Sequence, residues 1–281
     1  LPETKILLVD DGSTSEFDIT PYSNYPVFMV KHDKNRGIGA ARNTIINWCN
    51  NNAIEVVIMI DSDCAPESNF ITEHVRLHKE NPSAACIGGG IVGCGKGFWA
   101  KMDRLMSWVH SIPTGELKVV KDPYLLPGTN ISFKISALSN KEKPFNDRLL
   151  TGEDALLIRE LREEGKVIMF SPSPVIYHND RDTLPDVIKH TYLWGGHLYL
   201  IQFGNNFSPC CLRLYYRIPF FIFFFFAFPF FSILGSILTL KPWLKQKANY
   251  VVYYPILFFL WLVKSMAVFR IVISPKKHLL Y

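Results

Sequence analysis

Two aspartates separated by one residue follow directly after a short apolar run, and both residue type and spacing suggest metal chemistry. The run is Val56–Ile60, and the acidic pair is Asp61 and Asp63. A β-branched run of this length predicts a buried strand. Two carboxylates at the end of a strand can place oxygen ligands on a divalent cation that also binds a diphosphate. Because isolated Asp-x-Asp triplets are common by chance, the position after the strand is what favours this interpretation.

A second acidic pair, Asp10 and Asp11, follows the apolar run of residues 5–9 and precedes Gly12. Carboxylates at such a turn can hydrogen-bond base and ribose groups, and the glycine allows a tight turn and close approach of a ligand. The alternative is a solvated Asp-Asp-Gly loop, which is the more common role of such a turn.

Glycines and arginines are interleaved in residues 35–43, whose sequence is NRGIGAARN. The glycines let a loop run straight into a helix whose N-terminal amides face an anion, and Arg36 and Arg42 can neutralise phosphate. A glycine-rich helix start with solvated arginines is an alternative of comparable weight. No Gly-Lys-Ser or Gly-Lys-Thr follows, so this segment is not a P-loop.

Two further carboxylates, Glu153 and Asp154, begin a predicted helix directly after Gly152. The helix dipole favours the ionised form at this position, while a neighbouring negative group opposes it. One of the two carboxylates could act as a general base. The alternative is an ordinary acidic first turn, which helix starts commonly show.

Short β-branched runs alternate with longer helical patterns through the first 200 residues. This alternation predicts an α/β fold with a Rossmann-like, mostly parallel sheet and helices on both faces. In such sheets ligands bind beyond the carboxyl ends of the strands, where the acidic pairs are expected. The predicted strands are residues 5–9, 27–31, 56–60, 84–92, 130–134 and 167–170, and the predicted helices are residues 40–50, 67–80, 98–112, 153–164 and 184–202.

Charge is divided unevenly along the chain. The 281 residues include 30 Lys and Arg and 25 Asp and Glu, for a formal net charge of +5. From Leu212 onward, basic residues lie among long apolar runs and there is no Asp or Glu, so the preceding part is net negative. A basic excess confined to an apolar tail argues against a nucleic-acid partner and indicates association with a membrane.

Two apolar runs in this tail are long enough to cross a bilayer. Residues 218–240 are uncharged, and about 20 such residues span a hydrocarbon core about 30 Å thick. The second run, residues 250–273, contains Lys264 near its middle, which would need a partner, a cavity or a thinned bilayer. Two spans would place the intervening loop opposite the large domain. Four basic residues would then flank the domain side against three in the loop, which favours a cytoplasmic domain.

Five sequence blocks occur in an order and spacing that resembles glycosyltransferase family 2. The blocks are VDDGS, NRGIGAARN, DSD, PGTNISF and TGEDALL, and the resemblance covers roughly residues 5–200. This family consists of inverting enzymes that use nucleotide sugars and have the A-type glycosyltransferase fold. The resemblance implies transfer of a sugar from a nucleotide-diphosphate sugar, with a UDP-sugar favoured, and a Mn²⁺ or Mg²⁺ cofactor.

For the nucleotide-sugar donor, the resemblance implies that Asp11 and Asp10 contact the nucleobase. It implies that Asp61 lies at the ribose or the diphosphate. The region of Arg36 and Arg42 would offset the charge that builds on the leaving diphosphate.

For the metal ion and catalysis, the resemblance implies that Asp63 binds the cation beside Asp61. His178 occupies a place where many members have a histidine near the metal or the diphosphate. Asp154 would be the catalytic base, with Glu153 beside it.

The sequence also departs from the family pattern in two respects. The usual opening strand, which ends in a Pro-x-Tyr/Phe-Asn-like turn, and its following helix do not occur in this chain, so we expect an N-terminally incomplete glycosyltransferase domain at residues 1–205. A membrane region is expected at residues 206–281. The Gln-x-x-Arg-Trp signature of processive members is also missing, which favours single transfer over polymerisation.

The leading hypothesis is a membrane-attached, non-processive glycosyltransferase whose acceptor is a lipid-linked or cell-surface glycan. One alternative is a non-catalytic, membrane-tethered module that retains nucleotide-sugar binding. A protein that only binds a nucleotide sugar does not need the Glu153–Asp154 pair in addition to Asp63. The presence of all three carboxylates therefore favours catalysis. A metal-dependent nucleotidyltransferase is a third hypothesis, and it ranks lower because the Glu-Asp helix start and the following histidine fit sugar transfer better.

Overall fold

A computed structural model describes residues 4–121, 126–203 and 214–273, and these residues have the α/β architecture that the sequence predicts. The strands are β1 (Ile6–Asp10), β2 (Val27–Lys31), β3 (Val56–Ile60), β4 (Cys64–Pro66), β5 (Ala84–Gly93), β6 (Lys118–Val119), β7 (Asn130–Lys134) and β8 (Val167–His178). The helices are α1 (Ile38–Asn51), α2 (Phe70–Glu80), α3 (Phe98–Ser107), α4 (Glu153–Glu163), α5 (Leu184–Phe203), α6 (Leu214–Leu244) and α7 (Tyr254–Ile273). The sequence did not predict β4 or β6, and helix α3 ends earlier than expected.

The main sheet is mixed, whereas the sequence predicted a mostly parallel one. Its strand order is β3-β7-β5-β8-β4, with β6 paired to β8. Strands β5 and β8 are parallel, but β7 is antiparallel to both β3 and β5, and β4 and β6 are antiparallel to β8. Strand β7 follows residues 108–129, whose described part contains no α-helix. An antiparallel pair needs no helical crossover. The inference of parallel pairing from alternating strands and helices therefore does not hold for β7.

Strands β1 and β2 form a separate parallel pair, and helix α1 connects this pair to the main sheet. On one side of α1, the Trp48 ring lies 5.2 Å from the ring of Phe28 in β2. On another side, Ile46 packs in the main core with Val57 and Met59 of β3. Helix α1 therefore fixes the position of the Asp10 end of β1 relative to the end of β3.

The main hydrophobic core lies between the sheet and helices α1 and α4. Ile131 and Phe133 of β7 and Leu157 and Leu161 of α4 have no exposed surface. Full burial of such a side chain contributes about 1.5–3 kcal/mol. This packing places the N-terminal half of α1 beside the start of α4, and these two segments contain Arg42 and Glu153.

Strand β8 continues eight residues beyond the predicted end at Phe170. Pro172 and Pro174 interrupt the β pattern in the sequence, because proline cannot donate a ladder hydrogen bond. The strand accommodates them at a bulge, where its pairing with β5 shifts between Gly88 and Gly90. The side-chain amide of Asn130 closes the bulge by donating to the carbonyls of Gly90 (2.8 Å) and Pro174 (2.9 Å). The extension brings His178 to the end of β8.

The C-terminal helices include both predicted membrane spans. Helix α6 contains the whole of residues 218–240 and extends beyond them at both ends. The second predicted span begins as a 3-10 helix, Ala248–Tyr253, and continues as α7. Among the described residues, two segments are long and apolar enough to cross a membrane, Phe225–Leu244 and Ala248–Val268. The division into domains at residue 205 falls outside the described residues and stays a prediction.

Candidate active site

The pairing of β4 with β8 brings Asp63 to His178. Cys64 is the register partner of His178, so Asp63, one residue before Cys64, lies beside the imidazole. Oδ2 of Asp63 is 3.4 Å from Nε2 of His178. The hydrogen bond from His178 is the main cause that lowers the pKa of Asp63, and burial opposes it. Residues 115 positions apart in the sequence therefore form one pair at the edge of the sheet.

The other nitrogen of His178 faces Asp180, whose side chain is fully buried. His178 Nδ1 lies 3.4 Å from Asp180 Oδ1, and the same carboxylate accepts hydrogen bonds from Arg104 (2.8 Å) and the Trp108 indole (3.1 Å). Burial alone would lower the pKa of His178, but Asp180 and Asp63 outweigh burial and raise the pKa to about 9. Asp180 thus fixes the ring orientation and leaves Nε2 directed at Asp63.

Asp63, Cys64 and His178 form a group whose potential ligand atoms lie within 4.8 Å of one another. A carboxylate oxygen and an imidazole nitrogen are a suitable donor pair for Mn²⁺. Burial raises the pKa of the Cys64 thiol to about 12, and its Sγ lies 3.3 Å from the hydroxyl of Thr129. Since Mn²⁺ and Mg²⁺ prefer oxygen and nitrogen ligands to a thiol, we assign Asp63 and His178 as the residues that fit a divalent cation, which would replace the proton between them.

A buried guanidinium, Arg42, gathers the remaining predicted carboxylates. It donates to Glu153 in a short hydrogen bond, lies 3.3 Å from Asp61 Oδ1, and lies 3.8 Å from Asp154 Oδ2. The sequence suggested that Arg42 neutralises phosphate and that Asp61 binds metal or donor. In the structure, Arg42 is only 5% exposed, and its charge is directed at these three carboxylates.

Glu153 and Asp154 are adjacent in the sequence but have different surroundings. The side chain of Glu153 is 2% exposed, whereas that of Asp154 is 19% exposed. Burial is the main cause that raises the pKa of Glu153 to about 7, and Arg42 opposes it. Asp154 accepts hydrogen bonds from the backbone amides of Gly128 (2.6 Å) and Ala155 (2.7 Å). Asp154 is therefore the more accessible of the two carboxylates and has a fixed orientation.

The segment before β7 joins the histidine cluster to the arginine cluster. The amide of Gly128 binds Asp154, and the hydroxyl of the next residue, Thr129, contacts Cys64 beside Asp63. A Cβ atom on residue 128 would contact the Arg42 guanidinium, so a larger residue would displace Arg42 from its carboxylate partners. The two clusters are thus parts of one continuous site.

The acidic turn after β1 organises the start of α1. Asp11 accepts hydrogen bonds from the amides of Arg36 (3.0 Å) and Gly37 (2.8 Å), and its Oδ1 is 2.6 Å from His32 Nδ1. The Arg36 residue is exposed, in agreement with the solvated alternative for its side chain. These contacts join the turn after β1 to the end of β2 and to the start of α1, and the predicted site residue that they reach is Arg36, through its backbone amide.

Asp10 is held differently from its neighbour. Its Oδ1 accepts a hydrogen bond from the Ser13 amide at 2.8 Å, which is the main cause that lowers the pKa of Asp10. Its Oδ2 is buried without a hydrogen-bond partner and lies 3.7 Å from Lys31 Nζ. Gly12 adopts a φ of +80°, and a Cβ there would meet the Lys34 backbone at 2.4 Å. The tight turn that the sequence suggested is therefore present.

Sequence reasoning missed three residues of the site: Cys64, Thr129 and Asp180. Cys64 follows the Asp-Ser-Asp triplet, and Thr129 lies within the PGTNISF block. Asp180 is two residues after His178, and an acidic residue close to a candidate histidine ligand is a signal that could have identified it. Cys64 and Thr129 link the group of Asp63 and His178 to the group of Arg42 and Asp154. This link depends on strand pairings that the sequence did not reveal.

Comparison with known proteins identifies the family of this chain. A family model described as Glycosyl transferase family 2 matches residues 1–164. A pre-mycofactocin glycosyltransferase of Mycobacterium tuberculosis is 26% identical over 200 residues, which cover 68% of this chain and 41% of the relative. The chain thus spans about two fifths of the length of that curated relative.

Two solved structures share the fold. A mannosyltransferase from Pyrobaculum calidifontis, in complex with GDP-Man and Mn²⁺, superposes with a TM-score of 0.56 at 13% identity, covering 97% of this chain and 78% of that one. Residues 1–349 of TarS from S. aureus, in complex with UDP-GlcNAc, superpose with a TM-score of 0.51 at 15% identity, covering 98% and 83%. At these identities the likeness concerns the fold alone.

Proposed function

This chain belongs to glycosyl transferase family 2. We propose that it is a glycosyltransferase that transfers one sugar from a nucleotide-diphosphate sugar to a hydroxyl acceptor with inversion. The observation that supports this most is the continuous site in which Gly128 and Thr129 connect Asp154 to Cys64 and Asp63. A donor diphosphate near Asp63 would thereby bring its sugar close to Asp154. Such proximity is what a direct displacement requires.

We propose that the donor diphosphate binds next to Asp63 and His178 together with Mn²⁺ or Mg²⁺. When bound, a divalent cation offsets negative charge on the leaving diphosphate. The structure of the P. calidifontis enzyme contains Mn²⁺, which supports Mn²⁺ as the first metal ion to test. The structure of TarS contains UDP-GlcNAc, which supports a UDP-sugar as the first donor to test. Asp10 and Asp11, at the turn after β1, are the proposed contacts for the nucleobase.

Asp154 is the proposed general base. The acceptor hydroxyl gives its proton to the Asp154 carboxylate while its oxygen attacks the anomeric carbon from the face opposite the diphosphate. The bond to the diphosphate breaks, and the nucleoside diphosphate leaves with the electron pair. Hydrogen bonds from the Gly128 and Ala155 amides hold the carboxylate in place. Glu153 lies behind it and holds Arg42, so it supports the site without facing the acceptor.

The acceptor is proposed to be a lipid-linked or cell-surface glycan, used by a domain that lies at the cytoplasmic face of a membrane. The Cys94 amide donates to the His178 carbonyl at 2.8 Å, and four residues later the Phe98 ring lies 6.3 Å from the ring of Tyr253. Four residues span at most about 14 Å. The short path from the site to the hydrophobic helices supports an acceptor presented at a bilayer.

Replacement of Asp154 by Asn tests this proposal. Because Asn keeps the shape but cannot take up the proton, Asp154→Asn should lower the transfer rate by about 10²- to 10⁴-fold. Donor binding, measured by calorimetry with UDP-sugars and Mn²⁺, should be unchanged. Transfer is measured as release of nucleoside diphosphate that depends on acceptor lipid extracted from membranes.

Glu163→Gln is the matched control, since Glu163 lies on the same helix but is exposed and pairs with Arg159 on the surface. This variant should retain wild-type transfer and binding. If Asp154→Asn loses donor binding in the same proportion as transfer, Asp154 is a binding residue and its assignment as the base is wrong.

A further inference from the structure

Helices α6 and α7 pack against each other through hydroxyl groups and present apolar side chains outward. Ser232 Oγ lies 3.0 Å from Ser265 Oγ, and the Trp261 indole donates to Thr239 Oγ1 at 2.9 Å. These contacts show that the helices are antiparallel. The exposed large apolar side chains of α6 include Ile222, Phe223, Phe225, Phe226, Phe230, Phe231, Ile233, Leu234, Ile237 and Leu238. Hydroxyl contacts between helices whose outer surface is apolar are expected in lipid, where apolar surface needs no burial against protein.

The dimensions and the ends of this apolar surface fit a bilayer. The exposed stretch from Ile222 to Leu238 is about 24 Å long, and α7 is about 30 Å long. Beyond one end of the stretch lie exposed Lys241, Lys245 and Lys247 and the aromatic residues Trp243, Tyr250 and Tyr253. Basic and amphipathic aromatic side chains are typical of the headgroup region. The bilayer is therefore the partner whose chemistry matches this surface.

The end with these basic residues is also the end that contacts the catalytic domain. Trp243 donates its indole N–H to the carbonyl of Leu105 in α3 at 3.1 Å. Lys101 of α3 donates to the hydroxyl of Tyr253 at 2.7 Å. Leu257 of α7 is fully buried in a cluster that includes residues of α3. The turn segment, residues 245–253, thus lies on the same side as the catalytic domain.

Helix α5 leaves the catalytic domain beside α7. Near its start, His190 Nδ1 lies 2.9 Å from Asp103 of α3. Farther along, the backbones of α5 and α7 approach so closely that a Cβ on residue 195 would lie 2.0 Å from the Lys264 carbonyl oxygen, so Gly195 is required there. Residues 190–203 contain no Asp, Glu, Lys or Arg. Helix α5 therefore runs parallel to α7, away from the domain.

We infer that α5 enters the bilayer together with α6 and α7, so that the turn segment faces the catalytic side and α7 ends on the opposite side. This arrangement reverses the expectation from two spans, in which the loop with Lys241, Lys245 and Lys247 lay opposite the domain. Lys264, in the middle of a predicted span, has an aromatic neighbour on the same helix. Its ammonium lies 4.7 Å from the Trp261 ring, and a cation over an aromatic face is stabilised without an acidic partner.

Cysteine labelling in sealed membrane vesicles of known orientation tests this topology. Single cysteines are placed by Lys143→Cys on the catalytic domain, Lys247→Cys in the turn segment and Ile273→Cys at the end of α7. A membrane-impermeant maleimide should label positions 143 and 247 from the same side, and position 273 only from the other. The background keeps Cys49 and Cys86, which are buried, and replaces Cys64, Cys94, Cys210 and Cys211 by Ser.

Two results would overturn the inference. Labelling of position 247 from the side opposite position 143 would restore the two-span topology, and labelling of all three positions from one side would show that the helices do not cross. Because the substitutions could impair folding, trypsin is also applied to vesicles of the unmodified protein. Peptides that end at Lys245 or Lys247 should appear from the same side as peptides of the catalytic domain, and their release only from the other side would contradict the inference.

Discussion

At the scale of single residues, the site separates two neighbouring carboxylates by their surroundings. Glu153 is buried, its pKa is raised to about 7, and it binds Arg42. Asp154 is more exposed and is held by two backbone amides. Arg42 neutralises a group of negative side chains that burial would otherwise make unstable. It is therefore a positioning residue in this account, and its loss should affect stability before chemistry.

Replacement of Arg42 by Met tests this role. Removing one partner of a buried ion pair leaves the other charge uncompensated, which typically costs about 3–5 kcal/mol. Arg42→Met should therefore lower the free energy of unfolding by about this amount, as measured by denaturant titration in detergent micelles.

The matched control is Arg76→Met, because Arg76 pairs with Glu73 and Glu80 on the surface of α2. Its unfolding curve should stay close to that of the wild type, since exposed pairs contribute little. If both variants unfold alike, the Arg42 cluster does not stabilise the fold and the proposed role is wrong.

At the scale of elements, helix α2 is attached to the sheet by an internal polar chain. His78 Nε2 and His74 Nδ1 each lie 2.9 Å from Ser132 Oγ, and His74 Nε2 lies 3.0 Å from Asn130 Oδ1. The Asn130 amide nitrogen donates to two carbonyls, so its oxygen must accept from His74. Burial favours neutral imidazoles, and with both rings neutral the protons run from His78 Nε2–H to Ser132, from Ser132 to His74 Nδ1, and from His74 Nε2–H to Asn130. The Ser132 hydroxyl also lies 3.2 Å from the Ile87 carbonyl oxygen.

The two buried histidines of this hydrogen-bond network predict that the fold is sensitive to acid. Burial lowers the pKa of both His74 and His78 from 6.5 to about 4. Between these values the unfolded chain binds protons that the folded chain does not, so stability is present above pH 6.5 and falls as the pH is lowered. Because Gln retains a donor but does not titrate, His78→Gln should show a smaller drop in Tm than the wild type between about pH 7 and about pH 4.5.

Lys79→Gln serves as the control, since Lys79 is the next residue on the same helix and is exposed. Thermal melts of this variant should show the same acid-induced drop as the wild type. An unchanged drop in His78→Gln would mean that His78 does not contribute to the pH dependence.

At the scale of the whole molecule, helix α3 connects the site to the hydrophobic helices. Arg104 of α3 binds Asp180, which orients His178, and the preceding residues of the same helix contact Tyr253. Met102 and Leu105 of α3 are fully buried in a cluster with residues of α6 and α7. The domain and the C-terminal helices therefore share a core and are not joined only by a linker.

Local pattern was enough to predict six of the eight described strands, the α-helices and the candidate acidic residues. Val56–Ile60 and Val27–Lys31 have the predicted bounds, because a β-branched run followed by polar residues is a local signal. Asp63, Glu153 and Asp154 were chosen by type and position and His178 by the family resemblance, and the structure brings each of them into the candidate site.

Pairing direction and the partners of long side chains could not be predicted locally. The direction of β7 depends on which strands of the sheet are its neighbours, and residues 108–129 before it do not indicate them. The β4–β8 pair joins segments that are more than 100 residues apart in the sequence. Arg42 resembled a phosphate ligand because nothing near it in the sequence indicates Glu153 as its partner. The side of the membrane on which we infer Lys247 to lie depends on the direction of α5. The count of basic residues beside two predicted spans does not take α5 into account.

The proposed donor site is tested by calorimetric titration of nucleotide sugars onto the full chain in detergent micelles, with and without Mn²⁺. We expect a UDP-sugar to bind in a metal-dependent manner. Asp63→Ala should lose the metal-dependent part of the affinity, and Asp33→Ala, at an exposed position, should retain it. Equal donor binding in the absence of metal and in Asp63→Ala would contradict the claim that Asp63 and His178 form the donor site.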